Sequence, residues 1–174
     1  MLFTIGHSNR SLEDFASILK AHGIELLADI RTVPKSRHNP QFNRETLAAA
    51  LPHEGIAYIH VPALGGLRHP RKDSTNDAWR NASFRGYADY MQTPEFTAAL
   101  DALLRESSAR RTVIMCAESV PWRCHRSLVA DAATVRGIDV RHIMSETVAN
   151  PHKLTPFARV EGVQVTYPGI FPVD

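Results

Sequence analysis

Short apolar runs alternate with amphipathic segments along most of the chain. The apolar runs predict strands over residues 2–6, 25–31, 57–61, 112–115 and 139–143. Residues 112–115 are almost continuously apolar, which is typical of a strand in the middle of a parallel sheet. The polar and apolar pattern therefore predicts at least five strands that are separated along the chain by other elements.

Apolar residues at helical spacing lie between these runs. They predict helices over residues 11–22, 45–51 and 126–135, a helix that begins at Thr93-Pro94, and a helical turn over residues 86–91. Ser11 and Asp14 resemble a capping box, and Gly23 is a plausible helix terminator. Thr93 followed by Pro94 is a favourable helix start, because proline has no N–H group to lose in the first turn.

Alternating strands and helices of this kind indicate an α/β fold. We expect a three-layer sandwich with a mostly parallel central sheet, Rossmann-like or flavodoxin-like, in a single domain over residues 1–174. Residues 157–160 and 163–167 flank Glu161-Gly162 and predict a C-terminal hairpin. Residues 62–81 carry little periodicity, and loops of this length are usually functional lids or disordered segments.

The composition is that of an ordinary soluble globular protein, with 44% hydrophobic and 22% charged residues. The formal net charge of +2 excludes a polycation. No apolar run approaches the length of a membrane helix, and the N-terminus lacks a secretory pattern, so we expect a cytoplasmic protein without a membrane partner. Two cysteines in a chain of this size do not form the disulfide framework of a secreted protein, so we expect them to belong to a functional site instead of cross-linking the fold.

Three of the predicted strands end in reactive side chains. His7 follows the first strand, Asp29 and Arg31 end the second, and Cys116 and Glu118 follow the strand over residues 112–115. Ligands of open parallel sheets bind outside the carboxyl ends of the strands. We therefore expect these side chains to face one crevice. Packing of a hydrophobic core does not require reactive side chains at these positions, so they indicate a functional site.

The segment that follows Cys116 carries further reactive groups. Cys124 and His125 lie where a helix is predicted to begin, and the free N–H groups of a helix start favour a thiolate or a bound anion. Arg126 adds positive charge. A thiolate with a neighbouring histidine and a carboxylate can perform covalent catalysis. Glu118, which we expect to be partly shielded from water, could act as a general acid or base.

Several interpretations of the cysteines stay open. Six residues separate Cys116 from Arg123, one more than in the anion loop of cysteine phosphatases, and Pro121 removes an amide donor, which disfavours phosphatase chemistry. The cofactor is unknown, and a divalent metal bound by His7, Asp29, Cys116, Cys124 and His125 is one alternative. A redox pair of the two cysteines is another, and plain burial of Cys116 is a third.

Two loops are expected to border the same crevice. Residues 35–44 carry three positive charges and no acidic residue, and residues 68–85 mix basic side chains with Trp79 and Phe84. Basic groups among aromatic rings suit a phosphate-bearing ligand with a base that can stack, although a solvated loop explains the same pattern. The residues that we expect to bind the anion are Arg31, Ser36, Arg37, Tyr87 and Arg126.

These observations predict an enzyme, a hydrolase or a transferase, that acts on an anionic, phosphate-bearing substrate, for which a nucleotide or a nucleic-acid derivative is one candidate. Its catalytic residues are expected to be His7, Asp29, Cys116, Glu118, Cys124 and His125, with either cysteine as nucleophile or metal ligand. The alternatives are a non-catalytic module that binds nucleotides or nucleic acid, and a metal protein with Cys and His ligands. The oligomeric state does not follow from the sequence.

Several motifs together resemble the family known as domain of unknown function 488. The motifs are Thr4-Ile5-Gly6-His7-Ser8, Asp29-Ile30-Arg31 with Pro34, Ser36-Arg37 and Phe42, Leu64-Gly65-Gly66-Leu67, Phe84-Arg85-Gly86-Tyr87, Met115-Cys116-Ala117-Glu118 with Cys124-His125-Arg126, and His152-Lys153-Leu154-Thr155-Pro156. The resemblance covers nearly the whole chain. It implies a single-domain prokaryotic α/β protein with two characteristic cysteines and an unassigned activity.

Overall fold

A six-stranded sheet lies at the centre of the computed structural model, which describes residues 1–169. Its strands are β1 (Leu2–Gly6), β2 (Leu26–Asp29), β3 (Ala57–His60), β4 (Thr112–Cys116), β5 (Val140–Ile143) and β6 (Ala149–Pro151). They are arranged in the order β3-β2-β4-β1-β5-β6. Every pairing among the first five strands is parallel, and β6 pairs with β5 in the antiparallel direction.

Helices cover both faces of this sheet. They are α1 (Leu12–Ala21), α2 (Arg44–Ala50), α3 (Ala82–Tyr90), α4 (Pro94–Ala109) and α5 (Arg126–Thr134). Successive side chains of a strand point to opposite faces, so Val113 and Met115 pack with α1 and α2 while Ile114 packs with α3, α4 and α5. The two apolar layers confirm the predicted three-layer α/β sandwich.

The predicted hairpin is present as β7 (Arg159–Glu161) and β8 (Gln164–Thr166), which pair in the antiparallel direction. Gly162 turns the chain between them with a φ of 63°, a conformation that glycine adopts without steric cost. The strand β6 was not predicted, because three residues are too few to show a period of two.

The helix α3 begins four residues before the predicted helical turn. Asn81 accounts for this difference, since its side-chain oxygen accepts hydrogen bonds from the backbone N–H groups of Ser83 and Phe84. Such a cap satisfies donors that a helix leaves free at its start. The segment before Asn81 contains a short 3₁₀ turn at Pro62–Leu64 and no longer helix or strand.

The strand order brings the ends of three strands together. β4 lies between β1 and β2, and the register pairs Gly6 with Cys116 and Asp29 with Met115. The residues that follow these strands therefore leave the same edge of the sheet as neighbours. Within residues 1–169, no helix is both long and apolar enough to cross a membrane.

Candidate functional site

A cavity of about 460 Å³ opens at the carboxyl ends of β1, β2 and β4. Its walls come from the strand ends, from residues 32–36 and 66–67, from the start of α3 and from the segment between β4 and α5. Eight of the eleven residues predicted for the site line this cavity: His7, Arg31, Ser36, Tyr87, Cys116, Glu118, Cys124 and His125. Asp29, Arg37 and Arg126 do not.

The two cysteines meet on the cavity wall. Cys116 is the last residue of β4, and Cys124 follows a 3₁₀ turn at Pro121–Arg123. Both side chains are almost fully buried, and the structure pairs their sulfur atoms as a disulfide. The Cα atoms are 7.4 Å apart. The pairing that the sequence left open as one of several alternatives is therefore the one that the fold brings into contact.

Arg126 lies directly behind Cys116. Its guanidinium is completely buried, and its Nη1 atom lies 2.8 Å from Cys116 Sγ. The same group donates to the backbone carbonyls of Glu118 and Ser119 and, through Nε, to Thr4 Oγ1 at 3.2 Å. Burial lowers the pKa of Arg126 to about 10, so it remains charged at neutral pH.

No carboxylate within residues 1–169 lies at ion-pair distance from Arg126. Glu118, which is exposed, raises the pKa of Arg126 but lies beyond that distance. Burial of a cation without a closer counter-ion is costly, and in the reduced protein a thiolate at Cys116 would supply a negative charge 2.8 Å away.

Gly6 allows the loop after β4 to pack against the end of β1. A Cβ atom at this position would overlap the carbonyl oxygen of Glu118 and lie 2.8 Å from Arg126 Nη1. The close approach fixes the carbonyl that receives the guanidinium. Glycine is needed here for space and not for an unusual backbone angle.

His125 lies beside Cys124 at the start of α5. Its Nε2 atom lies 3.1 Å from the carbonyl oxygen of Ile30, which can only accept, so Nε2 carries the proton. Nδ1 then carries a lone pair and no proton, and this atom lies 3.7 Å from Cys124 Sγ. Burial lowers the pKa of His125 to about 4, which keeps the ring neutral and able to accept from a Cys124 thiol.

His7 is neutral by a similar argument. Its Nδ1 atom lies 2.7 Å from the carbonyl oxygen of Ser8, and its Nε2 atom lies 3.5 Å from Arg31 Nη1. The ring stacks on Phe42 at a centroid distance of 4.4 Å. Burial lowers the pKa of His7, although the hydrogen bond to Ser8 opposes this effect. Ser8 itself has a φ of 53°, and such backbone angles often occur at functional sites.

Asp29 lies behind the cavity and holds Arg31. The carboxylate accepts a bidentate pair from the Arg31 guanidinium at 2.9 and 2.7 Å, and it also accepts from the backbone N–H of Arg31 and from the Tyr58 hydroxyl. Arg31 also donates to the carbonyl of Phe42 at 2.7 Å. Because these groups surround the carboxylate, its geometry suits positioning of Arg31 better than the catalytic role that we expected for Asp29.

Glu118 lines the cavity but is exposed, contrary to the expectation that it is partly shielded from water. Arg37 is also exposed and lies outside the cavity wall. Ser36 lies on the wall, where its Oγ accepts from the backbone N–H of Asn39. Tyr87 is almost completely buried and donates its hydroxyl to the carbonyl of Leu64 at 2.8 Å, so it offers the cavity its ring.

Two cations on the cavity wall were missing from the predicted binding residues. Lys35 and Arg123 both line the cavity and are exposed. Lys35 lies in a loop that was expected to border the crevice and Arg123 in the segment that follows Cys116, but a count of charges in a segment does not show which side chain points inward.

The metal alternative gains no support from the geometry. Among the residues described, no three histidine, cysteine or carboxylate side chains come together in a way that could hold a metal ion. The candidate ligands are engaged elsewhere: Asp29 with Arg31, His125 with Ile30 and His7 with Ser8.

A family model with the description "Domain of unknown function DUF488" matches residues 11–133. This segment is most of the chain and contains β2, β4, both cysteines and the start of α5. The chain belongs to the DUF488 family. The comparison with curated proteins found no match, and neither did the comparison with solved structures. For this DUF488 protein, the function has to be argued from the cavity.

Proposed function

We propose that the cavity of this DUF488 protein is the active site of an enzyme for an anionic, phosphate-bearing substrate, with Cys116 as its nucleophile. The observation that carries the proposal is the contact between the buried Arg126 guanidinium and Cys116 Sγ on the wall of a cationic cavity. Packing alone gives no reason to bury a guanidinium against a sulfur atom.

The charges on the cavity wall favour an anion. The lining residues include three cations, Arg31, Lys35 and Arg123, and one carboxylate, Glu118. The two lining histidines are neutral. Arg31 is already held by Asp29, so its remaining donors are fixed in direction before a ligand arrives. Nε and Nη2 are taken by Asp29 and Phe42, which leaves Nη1 to donate a charge-assisted hydrogen bond to an oxygen of the anion.

The size and the aromatic wall favour a nucleotide-sized ligand. A volume of about 460 Å³ lies within the range of roughly 300–1,000 Å³ that small-molecule sites occupy. Phe84 and Tyr87 provide ring surfaces from α3 on the wall of the cavity that also carries the cations Arg31 and Lys35. A base or another flat group could lie against these rings while its phosphate contacts the cations.

The chemical step uses the reduced protein. The Cys116 thiolate forms a bond to the electrophilic atom of the substrate while the bond to the leaving group breaks and that group departs with the electron pair. Water then attacks the same atom, which restores the thiolate and releases the second product and a proton. The net reaction is hydrolysis, or group transfer if another nucleophile replaces the water.

A second candidate function is supported by the contact between the two sulfur atoms. In this case the Cys116 thiolate attacks a disulfide of a partner molecule and displaces one thiolate, and Cys124 then attacks the mixed disulfide. The products are the Cys116–Cys124 disulfide and a substrate reduced by two electrons. This thiol–disulfide exchange requires Cys124, whereas the nucleophilic reaction does not.

The test uses reduced protein, a thermal-shift measurement and three probes: inorganic phosphate, ribose 5-phosphate and adenosine monophosphate. A probe at a hundred times its dissociation constant is expected to add about 2.7 kcal/mol of stability. Arg123→Ala and Lys35→Ala should reduce this shift, and Arg105→Ala, an exposed change on α4, should not. Absence of binding by all three probes, together with a Cys116 no more reactive than free cysteine, would reject the proposal.

Variants of the two cysteines separate the other interpretations. A Cys124→Ser variant that retains turnover supports nucleophilic catalysis, and one that loses it supports disulfide exchange. A nucleic-acid-binding module would instead bind single-stranded oligonucleotides, lose affinity steeply with added salt and tolerate Cys116→Ser.

A further inference from the structure

A line of short hydrogen bonds leads away from Arg126 through the protein interior. Thr4 Oγ1 lies 2.6 Å from His142 Nδ1, and His142 Nε2 lies 2.8 Å from His152 Nδ1. His152 Nε2 lies 2.7 Å from Asp131 Oδ1, and the other oxygen of Asp131 accepts from the Tyr167 hydroxyl. With the bond from Arg126 Nε to Thr4 Oγ1, the line connects Cys116 to a buried carboxylate.

The donor and the acceptor of each hydrogen bond in this line follow from the groups at its two ends, Asp131 and Arg126. Asp131 can only accept, so His152 Nε2 donates to it, and the proton of the neutral His142 lies on Nε2 and is donated to His152 Nδ1. His142 Nδ1 accepts from the Thr4 hydroxyl, which leaves the Thr4 oxygen free to accept from Arg126. The reverse order would leave the proton of the fully buried Thr4 hydroxyl without an acceptor. Burial also lowers the pKa of His142 to about 3, which keeps this ring neutral.

We propose that Thr4, His142, His152 and Asp131 are positioning residues that hold the Arg126 guanidinium against Cys116 and thereby maintain its thiolate. The inference rests on the proposed function, in which Cys116 is the nucleophile. None of the four residues lines the first cavity, so each acts through Arg126.

Arg126 requires a rigid partner because its other contacts are made to an exposed loop. Two of its contacts are carbonyls of the loop after β4, in which Glu118 and Ser119 are exposed. Thr4 lies within β1, a fully buried strand, and provides the rigid contact. The negative charge of Asp131 polarises the intervening groups in the direction that favours the cation, because hydrogen bonds in series strengthen one another.

Several charged or titratable groups surround Cys116 from different elements. They are Arg126 and His125 from the start of α5, Glu118, Arg123 and Cys124 from the segment before it, His7 after β1, Arg31 after β2, and Arg10, which donates to the carbonyl of Gly6. None of these groups is changed by substitution of Thr4. A change in the reactivity of Cys116 in a Thr4 variant therefore reports on the line itself.

The test measures the rate of alkylation of Cys116 by iodoacetamide as a function of pH, in full-length Cys124→Ser protein. Thr4→Val removes the hydroxyl and keeps the shape, whereas Thr4→Ser keeps the hydroxyl. We expect Thr4→Val to slow alkylation about tenfold at pH values below the pKa of the thiol, where the rate follows the thiolate fraction, and to match the parent at high pH. Thr4→Ser should stay within about twofold of the parent.

A second pair of variants tests the distal end. Asp131→Asn retains an oxygen acceptor and removes the charge, and should slow alkylation in the same pH range. His152→Ala should do so as well and recover with added imidazole, because His142 and His152 also line a second cavity of about 520 Å³ that could admit it.

The outcomes are distinguishable. If the Cys124→Ser parent already shows the pH profile of free cysteine, both the proposed function and this inference are rejected. If the parent is reactive at low pH and the profiles of Thr4→Val and Asp131→Asn superimpose on it, the proposed function stands and the positioning role is rejected. Circular dichroism confirms folding, and if Thr4→Val does not fold, Asp131→Asn and His152→Ala decide.

Discussion

The Tyr58 hydroxyl donates to Asp29 Oδ2 at 2.6 Å, on a carboxylate that already receives the forked guanidinium of Arg31. Tyr58 belongs to β3 and Asp29 ends β2, so the contact links neighbouring strands two residues before Arg31, which lines the cavity. Asp29 is completely buried, and Arg31 is its counter-ion. The orientation of Arg31, which lines the cavity, thus depends on Asp29, which does not line it.

Asp29→Asn should weaken binding of phosphate probes and destabilise the fold. The change leaves the buried Arg31 without its counter-ion, and loss of one partner of a buried ion pair costs about 3–5 kcal/mol. Tyr58→Phe is the matched control, since it removes one hydrogen bond and should cost about 1 kcal/mol. Urea unfolding and probe affinity measure the two effects, and equal losses in both variants would contradict the role given to Asp29.

Arg126→Lys should destabilise the protein by about 2–3 kcal/mol, because one ammonium group cannot reach the acceptors that the guanidinium serves in three directions. The same variant should slow alkylation of Cys116. Arg123→Lys is the control, since Arg123 is exposed and the change should stay within about 0.5 kcal/mol. Equal stability of the two variants in urea would show that the buried contacts of Arg126 contribute little.

The buried histidines predict a loss of stability in mild acid. Burial lowers the pKa of His125 to about 4 and that of His142 to about 3, below the value of about 6.5 for an unfolded chain. Between these values the unfolded state binds more protons, so the free energy of unfolding falls as the pH decreases from 6.5 to 4. His125 alone should contribute on the order of 3 kcal/mol to this decrease.

Urea unfolding at several pH values checks this dependence. His125→Asn should flatten the decrease in stability between pH 6.5 and pH 4, because the substituted side chain does not titrate. His38→Asn, at an exposed position, should leave the dependence unchanged. A wild-type stability that stays constant over this range would be inconsistent with neutral, buried imidazoles.

Gly6→Ala should destabilise the protein by about 3 kcal/mol or more, since the added Cβ overlaps a backbone carbonyl that cannot rotate away. The control is Gly137→Ala, where the added atom meets nothing within 4 Å and the cost of a φ of 82° is about 1–2 kcal/mol. Urea unfolding compares the two. A Gly6 variant as stable as the Gly137 variant would mean that the loop after β4 can move without loss.

Much of the fold followed from local pattern. The boundaries of β1 and the caps at Ser11 and Thr93 were predictable, because capping depends on a few adjacent residues. The strand β6 was not, since three residues show no period and pair only because β5 lies beside them. Asn81 shows the same limit, because an asparagine caps a helix or turns a loop with equal ease.

The pattern of residues along the chain is enough to predict an α/β sandwich with reactive side chains at three strand ends, because apolar periodicity and the geometry of parallel sheets are local and general properties. Which of these groups come into contact depends on the packing of distant segments. The insertion of β4 between β1 and β2 brings Cys116 beside Gly6, and the turn before α5 places Arg126 behind one sulfur and Cys124 against it. These contacts join distant parts of the chain, and no spacing along the sequence encodes the direction in which a guanidinium or a carboxylate points.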